Sequence, residues 1–145
     1  MKFYKLLFLN VSLLCSFSFA QEWNNWRGPN YNGSSNTKES LPTKFDSTTN
    51  IKWKYDLPGP SAGTPIVNDQ LVFVSSIKIN DEKSGKGDLL ALCLNRDSGR
   101  LIWKNYAGSG YRPGNNDGFD YQLDSRSNYA SPSPVTDGTR VIYFF

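Results

Sequence analysis

Two stretches of the chain repeat one another. Thr64-Pro65-Ile66-Val67-Asn68-Asp69-Gln70-Leu71-Val72-Phe73-Val74 and Ser133-Pro134-Val135-Thr136-Asp137-Gly138-Thr139-Arg140-Val141-Ile142-Tyr143 follow one pattern. Each has a small residue before proline, then Val or Ile, an Asx turn, and a β-branched or aromatic run. Each therefore reads as two short strands around a tight turn. Between them, Leu89 to Leu94 (LLALCL) is a continuous apolar run, the pattern of a strand buried on both faces. Arg96-Asp97-Ser98-Gly99 then turns the chain, with Gly99 able to supply a positive φ, and Leu101 to Tyr106 reads as the next strand. No amphipathic helix is found after Ala20. The fold class is all-β. Four antiparallel strands followed by a restart match one blade of a β-propeller. A β-sandwich with two similar hairpins fits the same pattern.

Composition supports the strands and removes several chemistries. Of 145 residues, 14 % are aromatic, with 12 Gly and 8 Pro, which suits short strands joined by turns and argues against disorder. There is no histidine. A Ser-His-Asp or Cys-His nucleophilic site and a His-ligated zinc are therefore excluded. The formal charge of +3 is too small to argue for nucleic acid.

Residues 1–20 read as a secretory signal peptide. Lys2 and Lys5 precede an apolar run from Leu6 to Phe19, and Ser18 and Ala20 place small residues behind a cut before Gln21. The competing reading is a retained membrane anchor, for which the run is short. Cys15 has Leu14 before it, where lipoprotein signals carry a small residue. Cleavage leaves 14 basic and 13 acidic residues, no membrane span, and Cys93 as the only thiol. Stability then rests on a packed core rather than on disulfides. Residues 21–50 form a lead-in segment and 51–145 the strand-rich body. The body opens at Ile51 to Leu57, where Ile51, Trp53, Tyr55 and Leu57 alternate with Lys52, Lys54 and Asp56 as in a strand.

Leu92-Cys93-Leu94-Asn95-Arg96-Asp97-Ser98-Gly99-Arg100-Leu101-Ile102-Trp103 resembles the tryptophan-docking repeat, A-x-D-x-x-T-G-x-x-x-W, of the pyrroloquinoline-quinone (PQQ) repeat propellers. Gly99 and Trp103 match, while Cys93, Asn95 and Ser98 stand for Ala, Asp and Thr. Trp23-Asn24-Asn25-Trp26-Arg27-Gly28-Pro29-Asn30-Tyr31-Asn32-Gly33-Ser34 is similar to the W-x-x-W-R-G-P-x-x-x-G-x-S segment that opens secreted bacterial members. The resemblance implies a quinoprotein-like propeller of four-stranded blades, exported to the periplasm or beyond. It also implies that Gly99 and Trp103 are structural docking residues, with Trp103 laid flat against a neighbouring blade. A large ring buried in that way is worth about 3–5 kcal/mol. Propellers have about four to eight blades, so the chain is expected to be the N-terminal portion of one: lead-in, one blade, and part of the next.

In such a blade the second-to-third connection and the one leaving the fourth strand share a face. Here these are Ser75 to Asp88 and Ala107 to Ser131. Pro65 and Pro134 lie 69 residues apart, against about 40–45 for an ordinary propeller repeat. The excess falls in the second connection. Long loops on a rigid scaffold tend to carry function. The candidate partner-binding residues are Tyr111, Arg112, Asp117, Asp120, Tyr121 and Arg126. Tyr and Arg suit stacking and bidentate contacts, and Asp suits sugar hydroxyls or calcium. A plain solvated loop accounts for the same composition, and a calcium site at Asn115 to Asp120 lacks EF-hand spacing. Ser84-Gly85-Lys86-Gly87-Asp88 is not a phosphate-binding loop.

Three functions fit. The first is a non-enzymatic envelope scaffold binding a protein or glycan, with no catalytic residue, cofactor or metal in this chain. The second is a PQQ-dependent alcohol or sugar dehydrogenase using calcium, with its catalytic residues outside this sequence. The third is a propeller attached to an unrelated domain. The first is the reading favoured here.

Overall fold

The computed structural model describes residues 22–38, 40–83, 86–111 and 127–145. Strands β1 (Ile66–Asn68), β2 (Leu71–Ile79), β3 (Lys86–Asn95) and β4 (Leu101–Tyr111) form one antiparallel sheet in chain order. A two-stranded sheet of β5 (Val135–Thr136) and β6 (Val141–Ile142) follows. Among the described residues there is no helix, so none long and apolar enough to cross a membrane.

The turns follow from local chemistry. Asp69 adopts φ 47° between β1 and β2, a left-handed conformation that Asp tolerates better than most residues. Between β3 and β4, the Asn95 side-chain oxygen accepts from the Asp97 and Ser98 amides at 3.1 and 2.9 Å and from the Ser98 hydroxyl at 2.8 Å. Gly99 closes that turn at φ 69°. Between β5 and β6, Asp137 plays the corresponding part, accepting from the Thr139 and Arg140 amides at 2.9 and 2.7 Å.

Both faces of the sheet are covered. Phe73, Ile77, Leu89 and Cys93 lie on one face, beneath Tyr129, Ala130, Val141, Tyr143 and Phe145. Val74, Leu90 and Leu92 lie on the other, beneath Tyr55 and Leu57. Leu89 to Leu94 is accordingly buried throughout, as its unbroken apolar run requires.

Three segments depart from expectation. Ile51 to Leu57 forms no strand, yet Trp53, Tyr55 and Leu57 are the partly buried positions in it. The segment lies across the face of the sheet rather than along its edge, so side chains rather than main-chain ladders hold it. Ser75 to Asp88 is mostly strand: β2 runs to Ile79 and β3 begins at Lys86, leaving only residues 80–85 between them. Ser75 and Ser76 are fully buried, and their hydroxyls are satisfied by the Ala130 and Gly59 carbonyls at 2.9 Å each. Lastly, Ala107 to Tyr111 continues β4, and a register shift opposite Leu89 and Leu90 absorbs Ala107 as an extra residue.

The lead-in joins both sheets. Trp23 and Val67 exchange main-chain bonds of 2.7 and 2.9 Å, and the Thr136 amide donates to the Asn24 carbonyl at 3.0 Å.

Candidate functional site

The candidate loop springs from two anchored ends. Tyr111 closes β4, paired with Lys86, rather than standing in a loop. Arg112, Asp117, Asp120, Tyr121 and Arg126 lie outside the described residues, as does the Asn115 to Asp120 stretch. Gly110 is pressed against Tyr129: a Cβ there would stand 3.0 Å from the tyrosine Cβ.

On the returning side Asn128 is a buried hub. Its amide donates to Ser131 Oγ at 2.6 Å, its Oδ1 accepts from the Ala130 amide at 2.8 Å, and its Nδ2 donates to the Pro60 carbonyl at 3.4 Å. The Ala130 carbonyl in turn accepts from Ser75 Oγ at 2.9 Å and Ser61 Oγ at 3.1 Å. The Thr64 amide donates to Ser133 Oγ at 2.8 Å. Small hydroxyls thus stitch residues 58–64, β2 and residues 128–133 together. The buried members, Ser75, Ser76 and Asn128, each have a partner, the condition that makes such burial tolerable. Sequence reasoning passed over Ser61, Ser75, Ser76, Asn128 and Ser133. The signal was present: two serines inside an otherwise apolar strand need carbonyl partners from a neighbouring segment.

Gly99 and Trp103 serve different contacts. Gly99 is buried beneath Trp53, whose Nε1 donates to the Arg96 carbonyl at 2.7 Å. Lys52 Nζ sits 2.6 Å from Asp97 Oδ1 on the same turn, and its hydrogen bond and charge hold the Asp97 carboxyl below the usual range. Trp23 repeats the arrangement over Gly28, which also has φ 69°.

Trp103 is half-buried, its ring centroid 6.1 Å from Phe73 and 6.2 Å from Tyr143. The Tyr143 hydroxyl donates to the Leu92 carbonyl at 2.6 Å, and burial raises the pKa of that phenol. Burial likewise raises the Cys93 thiol. Beside Trp103 a cleft of about 240 Å³ opens between the sheet and the β5–β6 turn. Leu71, Phe73 and Val141 supply its apolar wall, and Asn68, Thr139 and Arg140 its polar rim. Among the described residues no group of three acidic or cysteine side chains is placed to hold a metal ion. The arrangement can hold and present a surface.

Comparison with protein-family models, with curated proteins and with solved structures gives no match.

Proposed function

We propose that this chain builds an exported, non-enzymatic β-propeller scaffold of the bacterial envelope, with PQQ-like repeats, which binds a protein or glycan. The observation that carries this reading is the indole of Trp53 laid on the turn at Gly99, with its Nε1 bonded to the Arg96 carbonyl. One layer of chain thereby keys into the turn of the next, which is what stacked blades require. The layering agrees: the four-stranded sheet is covered by earlier chain on one face and by later chain on the other. Trp103 is followed by Lys104 as Trp53 is by Lys54, and its ring is half-buried, suited to the same use by a further layer.

The binding surface is assigned to the connection after β4. Its two flanks are fixed by Gly110 against Tyr129 and by the Asn128 hub, and the sequence between them carries Arg112, Tyr121 and Arg126. Export follows from the leading twenty residues.

In-cell cross-linking of the exported protein tests this reading. A defined adduct with an envelope protein or glycan is expected, and it should disappear when Tyr111, Arg112 and Tyr121 are replaced by Ala. An adduct that survives the triple replacement would overturn the assignment of the surface. A cytoplasmic location would overturn the scaffold reading itself.

A further inference from the structure

The lead-in occupies a slot between the two sheets, and we propose that the same slot accepts the lead-in of a second copy of this chain. Exchange of residues 22–28 between two copies would give a strand-swapped dimer, independently of whether the sheets belong to a propeller.

Three observations meet here. First, the lead-in is a unit with its own bonds: the Gly28 amide donates to the Asn25 carbonyl at 2.9 Å and Asn24 Nδ2 to Glu22 Oε2 at 2.8 Å. Trp23 folds back over its own Gly28. The unit moves without losing these contacts.

Second, it joins the sheets as a short strand. Two main-chain bonds link Trp23 to Val67 on the free edge of β1, and one links Asn24 to Thr136 of β5. The Asn68 Nδ2 adds a bond of 3.1 Å to Asn24 Oδ1. The slot therefore recognises main chain by edge pairing and the side chain of one asparagine. An identical strand from another copy satisfies the same donors and acceptors.

Third, the connector is long and uncovered. From Pro29 to Lys52 every described residue is exposed. Fully extended, those 24 positions span up to about 80 Å, enough to reach a neighbouring molecule. Tyr31, Leu41 and Phe45 on this connector are 73 %, 69 % and 62 % exposed. Large apolar side chains left exposed along one strap favour association. Two straps crossing side by side in a swapped dimer would cover them, and this selects a second copy over an unrelated strand.

Exchange competes with closure onto the chain's own slot, where covalent tethering gives an effective concentration on the order of the millimolar range. The dimer is therefore concentration-dependent and strengthened by burial of the strap.

Disulfide trapping in the exported protein reads this directly, since the native Cys93 is buried. Asn24→Cys and Asn68→Cys in one chain should close an intramolecular bridge in dilute solution. The two single variants, mixed at rising concentration and then oxidised, should give a covalent dimer that peptide mapping assigns to positions 24 and 68. Adding Leu41→Ser and Phe45→Ser to both partners should lower the yield of that dimer by about tenfold while leaving the intramolecular bridge intact. Failure of the double variant to close would show that the strand does not occupy the slot. Closure in the double variant, with no 24-to-68 link between mixed chains up to millimolar concentration, would show that the slot serves its own chain alone. Either result overturns the proposal.

Discussion

Gly99 sits so close beneath Trp53 that a methyl group on it would stand 2.5 Å from the indole carbons. Replacing Gly99 by Ala imposes two penalties at once. The backbone is held at φ 69°, which costs a side-chain-bearing residue about 1–3 kcal/mol, and the indole must lift from the turn. We expect Gly99→Ala to destabilise by about 2 kcal/mol or more, measured by denaturant melts. Trp53→Phe keeps a ring over the turn but removes the donor to Arg96, and should cost about 1 kcal/mol. Equal losses for the two variants would mean that the ring contact contributes nothing beyond the hydrogen bond.

The half-buried phenol of Tyr143 predicts alkaline sensitivity. Its ordinary value is 10.0 and burial raises it, as burial raises the Cys93 thiol from 9.0. Both groups stay neutral in the folded chain while the unfolded chain ionises first. Their contribution to stability is complete below those ordinary values and falls as pH climbs above 9 to 10. Thermal melts between pH 7 and pH 11 should show this decline. Tyr143→Phe should flatten it while lowering stability at pH 7 by about 1 kcal/mol through loss of the bond to Leu92. A decline of unchanged steepness in that variant would assign the effect to other groups.

Ser75 ties β2 to the Ala130 carbonyl from a fully buried position. Ser75→Ala should destabilise by about 1 kcal/mol, because the buried Ala130 carbonyl loses the shorter of its two hydroxyl donors and keeps only Ser61. Hydrogen exchange should rise at residues 128–133 more than in β1. Uniform acceleration over the whole sheet would argue that the hydroxyl supports global stability rather than this one junction.

For the loop, replacing Tyr111, Arg112 and Tyr121 together should abolish the cross-linked adduct with little change in melting temperature. Binding hot spots at Tyr and Arg cost about 2 kcal/mol or more each, which is the loss this variant is expected to show. Trp103→Ala should do the opposite, since its ring packs between Phe73 and Tyr143. A triple variant that melts far below the wild type would make these residues part of the core.

Local pattern revealed the sheet well. Leu89 to Leu94 announced a strand covered on both sides, and Asn95 to Gly99 announced its turn, because both signals depend on neighbours in sequence. Ile51 to Leu57 misled for an instructive reason. Alternation reports which side chains are buried, and Trp53, Tyr55 and Leu57 are partly buried, but it carries no information about whether a main-chain partner lies alongside. The ends of β2 and β4 were hidden by Ser75, Ser76 and Gly108, residues that read as loop until the Ala130 and Gly59 carbonyls and the register shift are known. The seat of Trp53 on Gly99 spans distant parts of the chain and leaves no local trace. Of the site, sequence identified a long polar connection but not the serine and asparagine network that anchors its returning end.

The two indole-on-glycine contacts are alike in geometry but not in when they can form. Trp23 and Gly28 are five residues apart, whereas Trp53 and Gly99 are 46 apart. Closing the longer loop costs about 2 kcal/mol more in chain entropy. The first contact can flicker into place in a chain that has otherwise no structure, on the timescale of a small loop. The second needs the turn between β3 and β4 to be in place. The same pair of residue types therefore acts once as a local clasp and once as a tie between distant parts of the chain.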